Sequence, residues 1–250
     1  FFSNSELAAT GLPSDEELAL LEPYRDQLPE AVFTQVFKAP TTDGSGNNRG
    51  NLRKAAQLLR EAGWRVKNGE LVSPETGEPL TIEVLLRSPD FERVVLPFAE
   101  NLKRLGIDMT VRIVDAAQYQ ARSDEFDFDM IIDVFGQSLS PGNEQRDFWG
   151  SETAGKSGSR NTIGVQDPVV DALIEKIIFA PDRQALVTAT RALDRVLLHS
   201  HFVIPQHHVR SFRLAYWNKF GHPETMSDYH HGFPFTWWID TEKEAALEAR

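Results

Sequence analysis

Residues 126–149, FDFDMIIDVFGQSLSPGNEQRDFW, limit what this chain can fold into more than any other stretch. In the first half Phe126, Phe128, Met130, Ile132 and Val134 alternate with Asp127, Asp129, Ile131, Asp133 and Phe135. A period of two over this length reads as a strand with one face in a core, spanning residues 127–135. The second half turns abruptly to Gly, Gln, Ser, Pro and Asn, which is loop chemistry. A strand that opens into a polar loop at its carboxyl end is where α/β sheets usually hold ligands. Residues 135–149 are therefore the candidate site, with Phe135, Gln137, Ser138, Asn143, Glu144 and Arg146 as the side chains to watch.

The preceding residues supply partners for that strand. Thr81–Arg87 alternates through Ile82, Val84 and Leu86. Phe91, Val94, Val95, Phe98, Leu102 and Leu105 then form a helical stripe with Pro97 in its first turn or at a kink, and Gly106 stops it. Ile107, Met109, Val111 and Ile113 make a second strand over residues 107–114, and Asp115 caps a short helix, Ala116–Glu125. Strand, helix, strand, helix, strand at these lengths predicts an α/β fold with a βαβαβ core sheet and right-handed crossovers.

The flanks are less periodic. Ser14 before Asp15-Glu16-Glu17 reads as a helix start, residues 38–50 as a linker, and Asn51 as the cap of a helix ended by Gly63. Asn68-Gly69 and Thr76-Gly77 bracket Glu70–Ser73, which predicts a hairpin. Asp167-Pro168 opens one helix and Pro181 another, and residues 241–250 read as a polar terminal helix. Between them, residues 202–240 crowd aromatic residues, Trp217, Phe235, Trp237 and Trp238 among them, into a non-helical tail, which suggests packing against something else. A chain that begins Phe1-Phe2-Ser3, without a signal-peptide pattern, reads as a piece of something longer.

Composition excludes several functions. A net charge of −11 leaves no basic footprint for non-specific nucleic-acid binding. With no cysteine, disulfides, thiol nucleophiles and thiolate metal sites are ruled out. Gly150–Ser157, GSETAGKS, has the spacing of a phosphate-binding loop, but the Gly158-Ser159-Arg160-Asn161 that follows breaks a helix where such a loop must open one. Asp127, Asp129 and Asp133 share a strand face, and His199, His201, His207, His208, His230 and His231 cluster late, so a metal-dependent hydrolase is the alternative to a binding protein. Strand acids more often sit on a solvated face, and adjacent His residues point apart. No cofactor is expected.

Residues 51–64 (NLRKAAQLLREAGW), 79–135 and the Asp167-Pro168 helix together resemble the C-terminal half of the family 5 extracellular solute-binding proteins, the peptide-binding components of ABC importers. GQSLSPGNEQRDFW, the opening SELAATGLPS and the late FTWWID resemble its Yej-type branch. The resemblance implies a type II periplasmic-binding-protein-like lobe and a receptor that captures peptides, or modified peptides, between two lobes. It implies delivery to an ABC permease complex at the inner membrane, a periplasmic location, and no catalysis. It also implies a first lobe upstream, with residues 1–50 leading from it, 51–205 forming the ligand-binding second lobe, and 206–250 returning. In that family the loop after the FDfD strand carries an aromatic, matched by Phe135, and an acid that pairs with the peptide's amino terminus; its place falls near Ser138, so the resemblance implies that this salt bridge is missing or supplied by Asp133 or Glu144. The family's aromatic and Arg on the preceding helix are matched by Tyr119 and Arg122.

Overall fold

The computed structural model describes residues 1–3, 5–207, 211, 213–225 and 232–248. In chain order it contains α1 (Asp15–Leu21), α2 (Ala31–Thr34), α3 (Arg49–Glu61), β1 (Arg65–Lys67), β2 (Glu70–Val72), β3 (Thr81–Leu86), α4 (Glu92–Lys103), β4 (Asp108–Ile113), α5 (Ala116–Asp124) and β5 (Met130–Ile131). The second half holds α6 (Glu144–Trp149), α7 (Pro168–Ile178), α8 (Arg183–His199), β6 (Phe220–Gly221), β7 (Trp238–Ile239) and α9 (Thr241–Glu248). These group into two compact units, one of residues 38–135 and 146–167, the other of residues 1–37, 136–145 and 168–250.

The first unit is built on the expected βαβαβ sheet. Its strand order is β4-β3-β5 and both pairings are parallel, so β3 is central. Val84 and Leu86 of β3, Met109 of β4 and Val95 of α4 form its buried core, joined by Phe98, Leu102 and Met130. The odd-numbered face of β3 carries Glu83, which pairs with Arg122 of α5, so α4 and α5 cover opposite faces. That is what the order requires, because the chain steps to one side of β3 and then returns past it to the other. Pro97 lies in the interior of α4. The β1–β2 hairpin turns through Asn68 and Gly69, both with positive φ (53° and 90°). Gly106, at φ 84°, lets the chain pass Leu71, where a Cβ would lie 2.8 Å from the Leu71 nitrogen.

The stretch that predicts a strand over 127–135 forms one only at Met130–Ile131. Phe126 adopts φ 55°, and the N–H groups of Phe126 and Asp127 return to the carbonyls of Ser123 and Arg122, so both residues close α5. Asp129 Oδ2 then accepts the Glu83 N–H at 2.8 Å. That side chain takes a donor that a neighbouring strand carbonyl would otherwise use. Beyond the ladder Asp133 Oδ1 accepts the Val134 N–H at 2.7 Å. The apolar alternation holds at Met130 and Ile132, which pack on the core, but Val134 is 81% exposed, and acid side chains replace the backbone pairing at both ends. A smaller shift affects α3, which starts at Arg49, so Asn51 stands in its first turn and donates to the Thr41 carbonyl instead of capping.

In the second unit α7 and α8 pack together through Val170, Leu173, Ile174 and Ile177 against Leu193, Val196 and Leu197, with Leu7, Leu21 and Val32 also buried. Arg195, 2% exposed, pairs with Glu17 at 2.9 Å and donates to the Gly11 carbonyl at 3.0 Å, fastening the amino-terminal segment to α8. α7 and α8, expected with the sheet in a lobe over 51–205, thus share a core with residues 1–37. The reason is the all-round burial of α8, which needs α1 and α2 on the side away from α7. In the aromatic tail Trp237 packs against Tyr216 and Phe233, whereas Trp217 and Phe235 are 74% and 84% exposed.

Candidate functional site

α5 positions the first part of the site. Asp115 caps it, accepting the Ala117 and Gln118 N–H groups at 2.9 Å each. The helix runs back against the strand direction, so its two expected ligand-binding residues face different ends of the sheet. Tyr119, one turn in, lies beside the carboxyl end of β5, its Oη 3.5 Å from the Ile132 carbonyl oxygen. Arg122, one turn further, sits at the amino ends of the strands. It donates to Glu83 Oε1 at 2.9 Å, to Asp127 Oδ2 at 2.8 Å and to the Asp127 carbonyl at 3.0 Å. Glu83 also receives Arg112 at 3.3 Å, and the Arg122 hydrogen bond holds its carboxyl below the usual carboxylate value. Arg122 is thus an internal bridge between β3 and the end of α5.

Around Tyr119 a cavity of about 230 Å³ opens at the carboxyl end of β5. Its walls are α5 (Tyr119, Ser123, Asp124), the end of the strand (Ile131, Asp133, Val134), Phe148 of α6 and the turn Gly158–Thr162. Burial, followed by the Asp133 charge, raises the Tyr119 phenol above its ordinary value, so it remains protonated and able to donate. Asp133 Oδ2 accepts the Thr162 hydroxyl at 2.9 Å. The Arg160 guanidinium lies 3.9 Å above the Phe148 ring. Ser159 Oγ is shielded from solvent and has no hydrogen-bond partner.

The turn that forms this wall is held from inside by Asn161, which is fully buried. Its Nδ2 donates to the carbonyls of Gly150 and Val165 at 3.1 and 3.0 Å, and its Oδ1 accepts the Val165 N–H at 2.8 Å. Gly158 N–H adds a bond to the Asp124 carbonyl at 3.2 Å. The segment that mimics a phosphate loop is thus a 3-10 turn (Ser151–Thr153) followed by further turns, and the next helix starts only at Pro168. Sequence reading missed this wall; the helix-breaking run Gly158–Asn161 was its one visible sign.

The eight expected ligand-binding residues divide between the two units. Tyr119, Arg122, Phe135 and Arg146 belong to the sheet unit. There Phe135 is half-buried, its ring 4.7 Å from that of Trp149 and 6.1 Å from that of Phe148. Gln137, Ser138, Asn143 and Glu144 belong to the other unit. In it Gln137 Oε1 accepts Gln145 Nε2 at 2.7 Å, Glu144 Oε1 accepts the Gly142 N–H at 2.9 Å, and Ser138 and Asn143 are exposed.

The residues of the hydrolase alternative do not converge. Asp127 pairs with Arg122, Asp129 with the Glu83 backbone and Asp133 with Thr162. Among the described residues no group of three or more His, Asp or Glu is placed to hold a metal ion. His199 and His201 flank Phe37, while His208, His230 and His231 lie outside the described residues. No helix among the described residues is long and apolar enough to cross a membrane.

A family model for bacterial extracellular solute-binding proteins, family 5 (middle), matches residues 19–157. The Agrobacterium fabrum protein named "Probable peptide-binding protein YejA" is 46% identical over 238 residues, covering 95% of this chain and 39% of that protein. The Escherichia coli protein YejA, named as uncharacterized, is 40% identical over 248 residues, covering 99% of this chain and 41% of that protein. Among solved structures, the Bacillus subtilis oligopeptide-binding protein AppA in complex with a nonapeptide shares the fold, with a TM-score of 0.54 at 19% identity over 75% of this chain and 38% of that one. The chain therefore spans about 36% to 41% of the length of the curated relatives it matches.

Proposed function

The chain belongs to the bacterial extracellular solute-binding proteins of family 5, in their Yej-type branch, and from that membership we propose that it is part of the peptide receptor of an ABC importer. The full-length receptor captures peptides or modified peptides in the periplasm, between a lobe containing the β4-β3-β5 sheet and a lobe mostly upstream of these residues. It then hands them to the membrane permease complex without altering them. The observation that carries this reading is the 46% identity, across nearly all of this chain, to a relative whose name is that of a peptide-binding protein. A cavity at the carboxyl end of a parallel strand, where α/β sheets hold ligands, supports it. Two-lobe receptors gain affinity by burying the ligand on closure.

The test is calorimetry on the full-length protein with a mixed peptide library, paired with mass spectrometry of whatever co-purifies. Micromolar binding and a recovered peptide-like mass are expected. Hydrolysis of the peptides, or absence of binding across the library, would refute the reading.

A further inference from the structure

We propose that the cavity lined by Tyr119, Asp133, Ser159 and Arg160 is a subsite for an uncharged amide- or hydroxyl-bearing group of the ligand. The inference rests on the receptor reading above and goes beyond it by naming the chemistry that this part of the ligand presents. At about 30 Å³ per water, 230 Å³ holds roughly seven or eight water-sized groups, enough for a short side chain.

The wall decides the chemistry. Among the described residues Arg160 has no acid partner; it stacks on the Phe148 face and is otherwise exposed, so its N–H groups can donate to an entering group. Asp133 and Asp124 line the same space and supply acceptors. An anionic group entering here gains Arg160 but meets two carboxylates; a cationic group gains the carboxylates but meets the guanidinium. Either gives up its hydration for incomplete pairing. An amide or hydroxyl offers donor and acceptor together and satisfies both signs of wall. Two hydroxyls wait for such a group. Ser159 Oγ is buried without a partner, a condition native proteins rarely leave unfilled. Tyr119 Oη has only the Ile132 carbonyl, at the 3.5 Å limit of a hydrogen bond. A purely apolar group would leave Ser159 Oγ without a partner and Tyr119 Oη with the Ile132 carbonyl alone.

The experiment uses the full-length protein and alanine-based pentapeptides carrying a single Asn, Leu, Asp or Lys at each position in turn. At one position Asn is expected to bind about tenfold more tightly than Leu, Asp or Lys, the factor of one well-made buried hydrogen bond. That preference should fall to near unity in Ser159→Ala and in Tyr119→Phe, each checked for native circular dichroism. Indifference at every position, a preference for Asp or Lys at the position these variants control, or a preference that survives both substitutions would overturn the subsite. If no pentapeptide binds, the receptor reading fails on its own, and the subsite is judged by titrating free acetamide against the Tyr119 ring resonances. A saturable shift in wild type that disappears in Ser159→Ala supports it, and no shift overturns it.

Discussion

Replacing Asn161 with Asp changes one atom and reverses two hydrogen bonds. The wild-type amide donates twice, to Gly150 and Val165 carbonyls at 3.1 and 3.0 Å, and accepts once from Val165 N–H at 2.8 Å. An aspartate keeps the acceptor and loses both donors, leaving two carbonyl oxygens against a buried carboxylate. Each lost partner costs ~1–3 kcal/mol, so the two together cost ~2–6 kcal/mol, before the penalty of ionising a fully buried group. That penalty pushes the new carboxyl's pKa above its value in the unfolded chain, near ~4. While protonated it can donate to one carbonyl, so the deficit is smallest below that pH and grows as pH rises through the folded-state pKa. The assay is hydrogen exchange at Val165 and its neighbours, with urea unfolding at pH 4.5 and 7.5. At pH 7.5, ~3 kcal/mol corresponds to exchange faster by about a hundredfold. Destabilisation below ~1 kcal/mol at pH 7.5, or equal at the two pH values, would show that the turn is held by something other than this amide.

Three further outcomes follow from the same geometry. His199 is buried, and that burial, with Arg195 and His201 nearby, lowers its pKa; the unfolded chain therefore takes up the proton first, and stability should decline as pH falls below about 6.5. Thermal midpoints between pH 5 and 7.5 should show the decline in wild type and a flatter profile in His199→Asn. Glu17→Gln strands the 2%-exposed Arg195 and should cost ~3–5 kcal/mol in urea, while pairing it with Arg195→Met should recover part of the loss; a double variant no more stable than Glu17→Gln alone would contradict this. Arg122→Met should lower the urea midpoint only slightly, because its partners are partly solvated, and should leave peptide affinity within twofold, since its guanidinium is committed to Glu83 and Asp127. A tenfold loss of affinity by calorimetry would return Arg122 to the ligand.

Local physics alone settled a large part of this fold. The caps at Ser14 and Asp115, the Asn68-Gly69 turn, the Gly63 and Gly106 stops and the Pro168 start all depend on a few neighbouring bonds, and each is present in the structure. The apolar periods of residues 81–113 likewise pointed to β3, α4 and β4, which bury Val84, Leu86, Val95 and Met109 together. The family, too, was legible in the order of its motifs.

Tertiary structure decided the rest, wherever a side chain had two possible partners. The alternation of Phe126–Phe135 brings Met130 and Ile132 to the core but leaves Val134 81% exposed, and it does not say whether the backbone pairs. Asp129 settled that by taking the Glu83 N–H itself. Tyr119 and Arg122 are three residues apart and look equivalent in sequence, yet only the antiparallel run of α5 against the sheet sends one to the cavity and the other to Glu83. The cavity wall at 158–162 has no period to betray it. Its shape comes from Asn161 reaching Gly150 and Val165, bonds that exist only once the chain has closed on itself.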